Sequence, residues 1–177
     1  MGMHGSLTIK LLKMDYKKAL AIAEKVKVQL APHCHRIEIG GSIRRKKPQV
    51  KDIEIIAIPK NYNVGLFESG IATVVNKWVK VKGELPCKYT QRELPEGIKL
   101  DLFFTTEETW GMVLAIRTGS ANFSVKMGVA WSKKGYKSFN NYFSKRDESS
   151  TEKFSFKEER DLFEFLNIPY IEPEFRV

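Results

Sequence analysis

The stretch Gly41-Ser42-Ile43-Arg44-Arg45-Lys46-Lys47-Pro48-Gln49-Val50-Lys51-Asp52-Ile53-Glu54 combines a glycine turn, a run of basic residues and two acids. A glycine followed by a serine at the start of a helical turn lets backbone N–H groups approach a phosphate closely. The arginines and lysines that follow supply cations, and an arginine can hold phosphate oxygens with a fork of donors. The segment therefore predicts an anion site beside a pair of carboxylates.

Asp52 and Glu54 lie in a strand that we predict over Lys51–Pro59, which is otherwise mostly apolar and β-branched. They are two residues apart, so both carboxylates point to the same face of the strand. Like charges on an apolar strand are costly unless a partner compensates them, and Mg²⁺ prefers oxygen ligands of this kind. Such a pair is also typical of the solvent face of a half-exposed strand. Because the glycine turn and the basic run precede it here, we favour the metal site.

Asp101 is a lone acid in a second apolar strand, predicted over Ile98–Thr105. If this strand lies beside the one that holds Asp52 and Glu54, the three carboxylates converge. Two cations bound there could activate a hydroxyl and stabilise a pyrophosphate leaving group. The alternative is an edge-strand acid that faces water.

The chain has 177 residues and a formal charge of +9, which favours a polyanionic partner. The alternative is that the charge only keeps the protein soluble, and the total charge does not decide between the two, whereas an uneven distribution argues against solubility alone. The charge is uneven, because residues 1–105 carry a net +9 and residues 106–177 a net of zero. Within the second part, residues 106–146 carry +5 and residues 147–177 carry −5. No membrane span is predicted, Leu7–Leu12 is too short for a signal peptide, and the two cysteines form no disulfide framework. We therefore expect a protein that is not secreted.

Hydrophobic periodicity and turn residues divide the chain into a mixed α/β part, residues 1–105, and a mainly helical part, residues 106–177. The remaining elements predicted for the first part are helices over Asp15–Ala31 and Ala72–Val81 and strands over Arg36–Ile39 and Lys88–Leu94. For the second part, we predict a helix from Thr106 to about Arg117 and a helix that is capped by Ser120 and ends at Lys134. A strand pair within Tyr136–Phe143 and a polar loop over Asp147–Lys153 follow. The last predicted helix follows a capping box at Ser155 and ends near Leu166.

The acids and the glycine turn together resemble the nucleotidyltransferase superfamily of DNA polymerase beta. The order of Gly41-Ser42, Asp52-x-Glu54 and Asp101 carries this resemblance, and the form Gly-Ser-Ile-Arg-Arg is similar to the family X DNA polymerases. Further motifs resemble the polymerase thumb, namely Thr118-Gly119-Ser120, Phe123, Lys134-Gly135-Tyr136, Glu158-Glu159-Arg160-Asp161-Leu162-Phe163, Ile168-Pro169-Tyr170 and Arg176. The resemblance covers about residues 15–177.

The resemblance implies an α+β fold, with a nucleotidyltransferase palm at residues 1–105 and a small, mainly helical thumb at residues 106–177. The palm would be a mixed β-sheet with helices on one face. Asp52, Glu54 and Asp101 would be catalytic and would hold two Mg²⁺ ions, with Mn²⁺ as a substitute. Asp101 would lie nearest the attacking 3′-hydroxyl. The nucleotide would be bound by Gly41, Ser42, Arg45, Lys51, Gly119 and Ser120, the last two forming a turn against its sugar.

The activity implied is the addition of deoxynucleotides to a DNA 3′-end with release of pyrophosphate, in gap-filling repair synthesis. The partners would be gapped or 3′-ended DNA and a nucleoside triphosphate, and the protein would be a monomer in the cytoplasm or in the compartment that holds the DNA. No lyase activity is expected, since nothing before Asp15 resembles the N-terminal domains of larger members.

Two other functions stay open because the sequence departs from the family pattern. Glu54 replaces an aspartate, Ile116-Arg117 replaces an aromatic pair, and Ser124 and Gly128 replace an asparagine and an arginine near the nascent base pair. One alternative is nucleotide transfer to a non-DNA acceptor such as RNA, a protein or a small molecule. The other is a non-catalytic protein that binds DNA ends.

Overall fold

The computed structural model describes residues 13–62, 70–139, 141–146 and 153–177. The segment Leu7–Leu12 and most of the polar loop predicted over Asp147–Lys153 lie outside these residues. The described strands are β1 (Met14–Asp15), β2 (Cys34–Ile39), β3 (Gln49–Val50), β4 (Asp52–Pro59), β5 (Val79–Lys82), β6 (Tyr89–Glu93), β7 (Lys99–Phe104), β8 (Tyr136–Phe139), β9 (Tyr142–Lys145) and β10 (Lys153–Phe154). The described α-helices are α1 (Tyr16–Leu30), α2 (Gly41–Arg44), α3 (Ile71–Val75), α4 (Trp110–Thr118), α5 (Ala121–Lys133) and α6 (Glu159–Leu166).

Five of the described strands form the main sheet, in the order β2-β4-β7-β6-β5. Strands β4 and β7 are parallel, and the other neighbours are antiparallel, so the sheet is mixed. Because β4 and β7 are separated in the chain by β5 and β6, their adjacency brings distant segments together. This is the arrangement that the convergence of the three acids required.

The two faces of the main sheet pack against different helices. Alternate residues of β4 and β7, such as Ile55 and Leu102, are fully buried together with residues of α1 and α3. The opposite face, which includes Ile56 and Phe103, packs against Trp110 and other residues of α4. The helices of the first part of the chain therefore cover one face, as predicted, and the chain returns across the other face after β7.

The second part of the chain has its own core. Helices α4, α5 and α6 enclose a cluster rich in aromatic rings, and β8, β9 and β10 form a small antiparallel sheet beside it. Phe143 and Leu162 are fully buried there. Ser120 caps α5, as predicted, because its hydroxyl accepts the Phe123 N–H at 3.1 Å. The mixed α+β architecture is therefore confirmed.

The helix predicted over Ala72–Val81 is wrong beyond its first turn. Helix α3 ends at Val75, and Val79–Lys82 is strand β5 at the edge of the main sheet. The segment has β-branched residues at Val79 and Val81, which favour a strand once β6 offers a pairing partner. Tertiary pairing thus overrides a weak helical periodicity.

Two predicted helix starts in the second part are displaced. Helix α4 begins at Trp110, because Thr106 forms a turn whose carbonyl accepts the Thr109 N–H at 3.2 Å. Helix α6 begins at Glu159 rather than after a cap at Ser155, and the Asp161 carboxylate accepts the Glu158 N–H at 2.8 Å. Within the described residues, no helix combines the length and the apolar character that crossing a bilayer demands.

Candidate active site

The three predicted acids lie on neighbouring strands of the main sheet. In the parallel pairing of β4 with β7, Glu54 lies opposite Asp101, and Asp52 lies opposite Lys99. Because residues two apart share a face, Asp52 and Glu54 lie on the face of the sheet that also holds Ile56. The sheet therefore brings all three acids together near the N-terminal ends of β4 and β7, on the face against which α4 packs.

The electrostatics of the acids reflect their proximity. Burial raises the pKa of Glu54 to about 7, and the charges of Asp52 and Asp101 add to this effect. The positive charges of Arg45 and Arg117 oppose this rise in the pKa of Glu54. Burial, followed by the charge of Asp101, also raises the pKa of Asp52, while exposed Lys51 lowers it. The acids thus form a cluster that the surrounding cations compensate only in part.

Asp101 is held by two side chains of strand β6. Its Oδ1 accepts a hydrogen bond from the Tyr89 hydroxyl at 2.6 Å and another from Gln91 Nε2 at 2.7 Å. Burial and the hydrogen bond to Asp101 raise the pKa of Tyr89, so the hydroxyl stays protonated and donates. Neither residue was identified from the sequence, because only the β6–β7 register places them against the acid.

The glycine turn lies directly against Glu54. Gly41 has a φ of 58°, a left-handed conformation that favours glycine, and a Cβ at this position would collide with the Glu54 carboxylate. The Gly40 N–H donates to the Glu54 backbone carbonyl at 2.8 Å, which fixes the turn to β4. The left-handed turn therefore favours glycine at this position, and the Glu54 carboxylate packs into the space that a Cβ would fill.

Ser42 and Arg45, the predicted phosphate ligands, carry buried polar atoms without a partner among the described residues. These atoms are Ser42 Oγ and Arg45 Nε. Arg45 is anchored at its other end, since Nη1 donates to the Thr118 carbonyl at 2.6 Å. Burial lowers the pKa of Arg45, although the charge of Glu54 acts against this effect. Two unsatisfied polar groups beside an acid cluster are what an anionic ligand would complete.

Gly119 and Ser120 lie at the junction between α4 and α5. A Cβ on Gly119 would collide with the Phe123 ring, so the close packing of that ring requires glycine. The Ser120 N–H donates to the Arg176 carbonyl at 2.9 Å while its hydroxyl caps α5. Both residues thus hold the junction together, and their predicted contact with a nucleotide sugar stays a prediction.

Arg117 is an exposed cation beside the acids. Its guanidinium lies over the Phe103 ring, 4.2 Å from the ring centroid. Arg117 also borders a cavity of about 310 Å³ whose walls include Tyr89, Phe103 and Trp131. A cavity bounded by both parts of the chain therefore opens next to the residue that holds Asp101.

A buried ion cluster joins α2 to the second part of the chain. Glu159 receives two hydrogen bonds of 2.7 Å from Arg44 and a further one from Arg176, which is fully buried. Arg44 Nη1 also donates to the Thr118 hydroxyl at 2.7 Å. Sequence reasoning did not predict this cluster, because Arg44 and Glu159 are 115 positions apart.

The acid cluster offers three carboxylates to a metal ion. Among the described residues, no group of three His, Cys, Asp or Glu side chains is arranged to hold one as the side chains stand. The Glu54 carboxylate instead lies against Gly41. The donor set is nevertheless chemically suited to Mg²⁺, since it offers three carboxylates whose mutual repulsion a hard cation would relieve. Binding would require rotation of side chains within the cluster.

Comparisons with known proteins identify a similar domain and a similar fold. Residues 113–177 match the family described as the DNA polymerase beta thumb. The fold is similar to that of Leishmania infantum polymerase beta in its ternary P/T complex, with a TM-score of 0.69 and 20% identity over 94% of this chain and 77% of that chain. For the ternary gap complex of the same polymerase, the TM-score is 0.69 and the identity 18%, over 93% of this chain and 71% of that chain. A search of the curated proteins finds no match. The protein thus has a fold similar to that of polymerase beta, and its last 65 residues match the DNA polymerase beta thumb family.

Proposed function

We propose that this protein is a metal-dependent DNA nucleotidyltransferase that adds deoxynucleotides to a DNA 3′-end and releases pyrophosphate, in gap-filling repair synthesis. The observation that carries the proposal is the register of Glu54 against Asp101, with Asp52 on the same face. Residues 1–105 would be the palm and residues 106–177 the thumb. The match to the thumb family supports this division but begins seven residues later, at Val113.

The catalytic residues in this proposal are Asp52, Glu54 and Asp101. They would hold two Mg²⁺ ions, or Mn²⁺ in their place. Bound there, the ions would lower the pKa of the attacking hydroxyl and stabilise charge on the leaving pyrophosphate. Asp101 would accept the proton of the 3′-hydroxyl or hold it in line for attack. The carboxylates therefore supply both the ligands and the proton acceptor.

The phosphates of the nucleotide would be bound at the glycine turn, next to the acids. Ser42 Oγ and Arg45 Nε are buried and lack partners among the described residues, and a phosphate oxygen would satisfy both. Gly41 has no Cβ, so the backbone can approach the phosphates closely. Lys51 would add a charge contact, and Gly119 and Ser120 would lie against the sugar.

The DNA would be bound through phosphate contacts from the basic residues of the first part of the chain, which carries a net +9. The ternary complexes of the similar polymerase contain a primer and template or a gap, which supports DNA as the partner. We further propose a monomer that acts in the cytoplasm or in the compartment that holds the DNA.

The proposal is tested by nucleotide incorporation on gapped, nicked, templated and single-stranded DNA. Each substrate is supplied with deoxynucleotides or ribonucleotides and with Mg²⁺ or Mn²⁺. We expect incorporation of deoxynucleotides on gapped DNA. A parallel screen offers RNA, protein and small-molecule acceptors with labelled nucleotides, and transfer to these acceptors alone would indicate a nucleotidyltransferase with a non-DNA acceptor. DNA binding without any transfer and without a metal requirement would indicate a non-catalytic protein that binds DNA ends.

Arg45→Ala should raise the KM for the nucleotide by about tenfold to a hundredfold, because a charge-assisted hydrogen bond to phosphate is worth roughly 1.5–3 kcal/mol. The affinity for DNA should change much less. Steady-state kinetics with varied nucleotide measures the effect. Lys25→Ala is the matched control, since it removes an exposed cation of α1 that pairs with Glu96 away from the acids. An unchanged KM in the Arg45 variant would contradict the phosphate assignment.

A further inference from the structure

We propose that Tyr89 and Gln91 are positioning residues that fix the orientation of the Asp101 carboxylate for catalysis. This inference rests on the proposed function, because it concerns the acid assigned to the 3′-hydroxyl. It adds two residues of a third strand, β6, to a site otherwise built from β4, β7 and the glycine turn.

The two hydrogen bonds to Asp101 have the lengths of charge-assisted bonds. The Tyr89 hydroxyl is 2.6 Å and Gln91 Nε2 is 2.7 Å from the same oxygen, Oδ1. An ionised carboxylate only accepts hydrogen bonds, so the Gln91 amide has to present its NH₂ group. Both side chains therefore donate a hydrogen bond to the same carboxylate oxygen.

The register of the sheet makes this arrangement specific. Gln91 lies directly opposite Asp101 in the antiparallel pairing of β6 with β7, and Tyr89 lies opposite Phe103. Tyr89 and Gln91 are two residues apart and share a face, so both reach the acid from the strand next to it. A shift of the register by one residue would turn both side chains to the other face.

Tyr89 is itself held in place by stacking. Its ring lies 4.9 Å from the Phe103 ring at an interplanar angle of 26°. The Arg117 guanidinium lies over Phe103, and Lys82 Nζ lies 5.1 Å from the centre of the Tyr89 ring. The hydroxyl is thus presented to Asp101 by a ring with little freedom to move, which is the support that a catalytic side chain needs.

The two oxygens of the Asp101 carboxylate therefore have different roles. Oδ1 is occupied by Tyr89 and Gln91, and among the described residues no hydrogen bond to Oδ2 is seen. The Asp101 carboxylate would otherwise rotate broadly about its last torsion angle. With Oδ1 fixed, Oδ2 is left in one orientation for a cation or a hydroxyl, and a misplacement of about 1 Å at such an atom can cost about a hundredfold in rate.

Two variants test the proposal. Tyr89→Phe removes the hydroxyl and keeps the stack on Phe103, and Gln91→Leu removes the amide from a half-buried strand position. Each should lower kcat by about tenfold, while the nucleotide KM and the Kd for DNA stay within about twofold. Each should also weaken the binding of Mn²⁺ alone, measured by the spin-resonance signal of the free ion without DNA or nucleotide.

Tyr62→Phe is the matched control. It also removes a hydroxyl from a tyrosine packed on a phenylalanine of β7, but that hydroxyl donates to the Cys87 carbonyl at 3.2 Å rather than to an acid. This variant should keep wild-type kcat and wild-type Mn²⁺ affinity. Thermal unfolding of all the variants shows whether each has kept its fold.

The outcomes separate this inference from the proposed function. Wild-type protein that fails to incorporate any nucleotide would reject the function. The positioning role is overturned if Tyr89→Phe and Gln91→Leu both keep wild-type kcat and Mn²⁺ affinity. It is also overturned, with or without activity, if a crystal structure of the double variant shows Asp101 in its original rotamer, because the two donors would then not be what holds it.

Discussion

Asp101→Asn is expected to lower the rate of nucleotide incorporation by about a thousandfold or more, since it removes a charge from the site where the attacking hydroxyl and the cations would meet. The asparagine side chain has nearly the shape of aspartate. Its carbonyl oxygen can still accept the hydrogen bonds from Tyr89 and Gln91, so β6 and β7 should stay paired as they are. The loss would therefore report the missing charge rather than a disturbed sheet.

Single-turnover incorporation on gapped DNA measures this effect, because it isolates the chemical step from product release. Glu93→Gln is the matched control, as it neutralises an exposed acid of β6 that lies opposite Lys99. The control should retain wild-type rates. An Asp101→Asn enzyme that keeps more than about a tenth of wild-type activity would exclude Asp101 as a catalytic acid.

Glu159→Gln is expected to lower the free energy of unfolding by about 3–5 kcal/mol, because it leaves a buried arginine without its counter-charge. Glu159 and Arg176 are 7% and 0% exposed, and Arg44 binds the same carboxylate through both of its terminal nitrogens. The carboxylate thus joins the helical turn after β2 to α6 and to the end of the chain. The glutamine side chain in the variant is neutral, and it can accept hydrogen bonds only through its single carbonyl oxygen.

Urea denaturation at neutral pH measures the difference between wild type and variant. The preceding residue offers a matched control, since Glu158 also receives a forked pair of hydrogen bonds from an arginine, at 2.8 and 3.1 Å from Arg36. That pair is largely exposed, so Glu158→Gln should cost less than about 1 kcal/mol. Equal costs for the two variants would mean that burial does not strengthen the Glu159 cluster.

The same cluster predicts a pH dependence of stability. Burial opposes ionisation of Glu159, but hydrogen bonds from Arg44 and Arg176 outweigh it and hold the pKa below the ordinary value of 4.5. The stability that this group contributes is therefore present above pH 4.5 and is lost as the pH falls through the lower pKa of the folded state. The difference in the free energy of unfolding between wild type and Glu159→Gln should therefore become smaller in acid. A difference that stays constant down to the acid transition would contradict a lowered pKa for Glu159.

Local reasoning succeeded where a single strand or turn decides the outcome. The spacing of Asp52 and Glu54 is enough to place both on one face, because alternation is a property of the strand itself. The position of Gly41 next to Ser42 predicted a glycine turn, and the φ of Gly41 is 58°, a conformation that favours glycine. The residues Ser120 to Phe123 predicted a helix cap for the same reason, since the hydrogen bond closes within one turn.

Pairing between distant segments decided the rest. The sequence offered Asp101 only as a conditional third acid, and the parallel register of β4 with β7 meets that condition by placing it opposite Glu54. Tyr89 and Gln91 carried no signal of their own, because their role depends on which residues of β7 they face. The helix predicted over Ala72–Val81 is wrong at its end for a related reason, since the strand that begins at Val79 exists through pairing with β6.

The sequence by itself therefore determined the acids, the glycine turn, the uneven charge and the resemblance to polymerase beta. Only the tertiary structure decided how Asp101 is held, and that Arg44 and Glu159 join the two parts of the chain through a buried ion cluster. The physical reason is the distance along the sequence over which each kind of interaction acts. Side-chain periodicity and caps act over a few residues, whereas strand register and buried charge pairing depend on groups that meet only after the chain has folded.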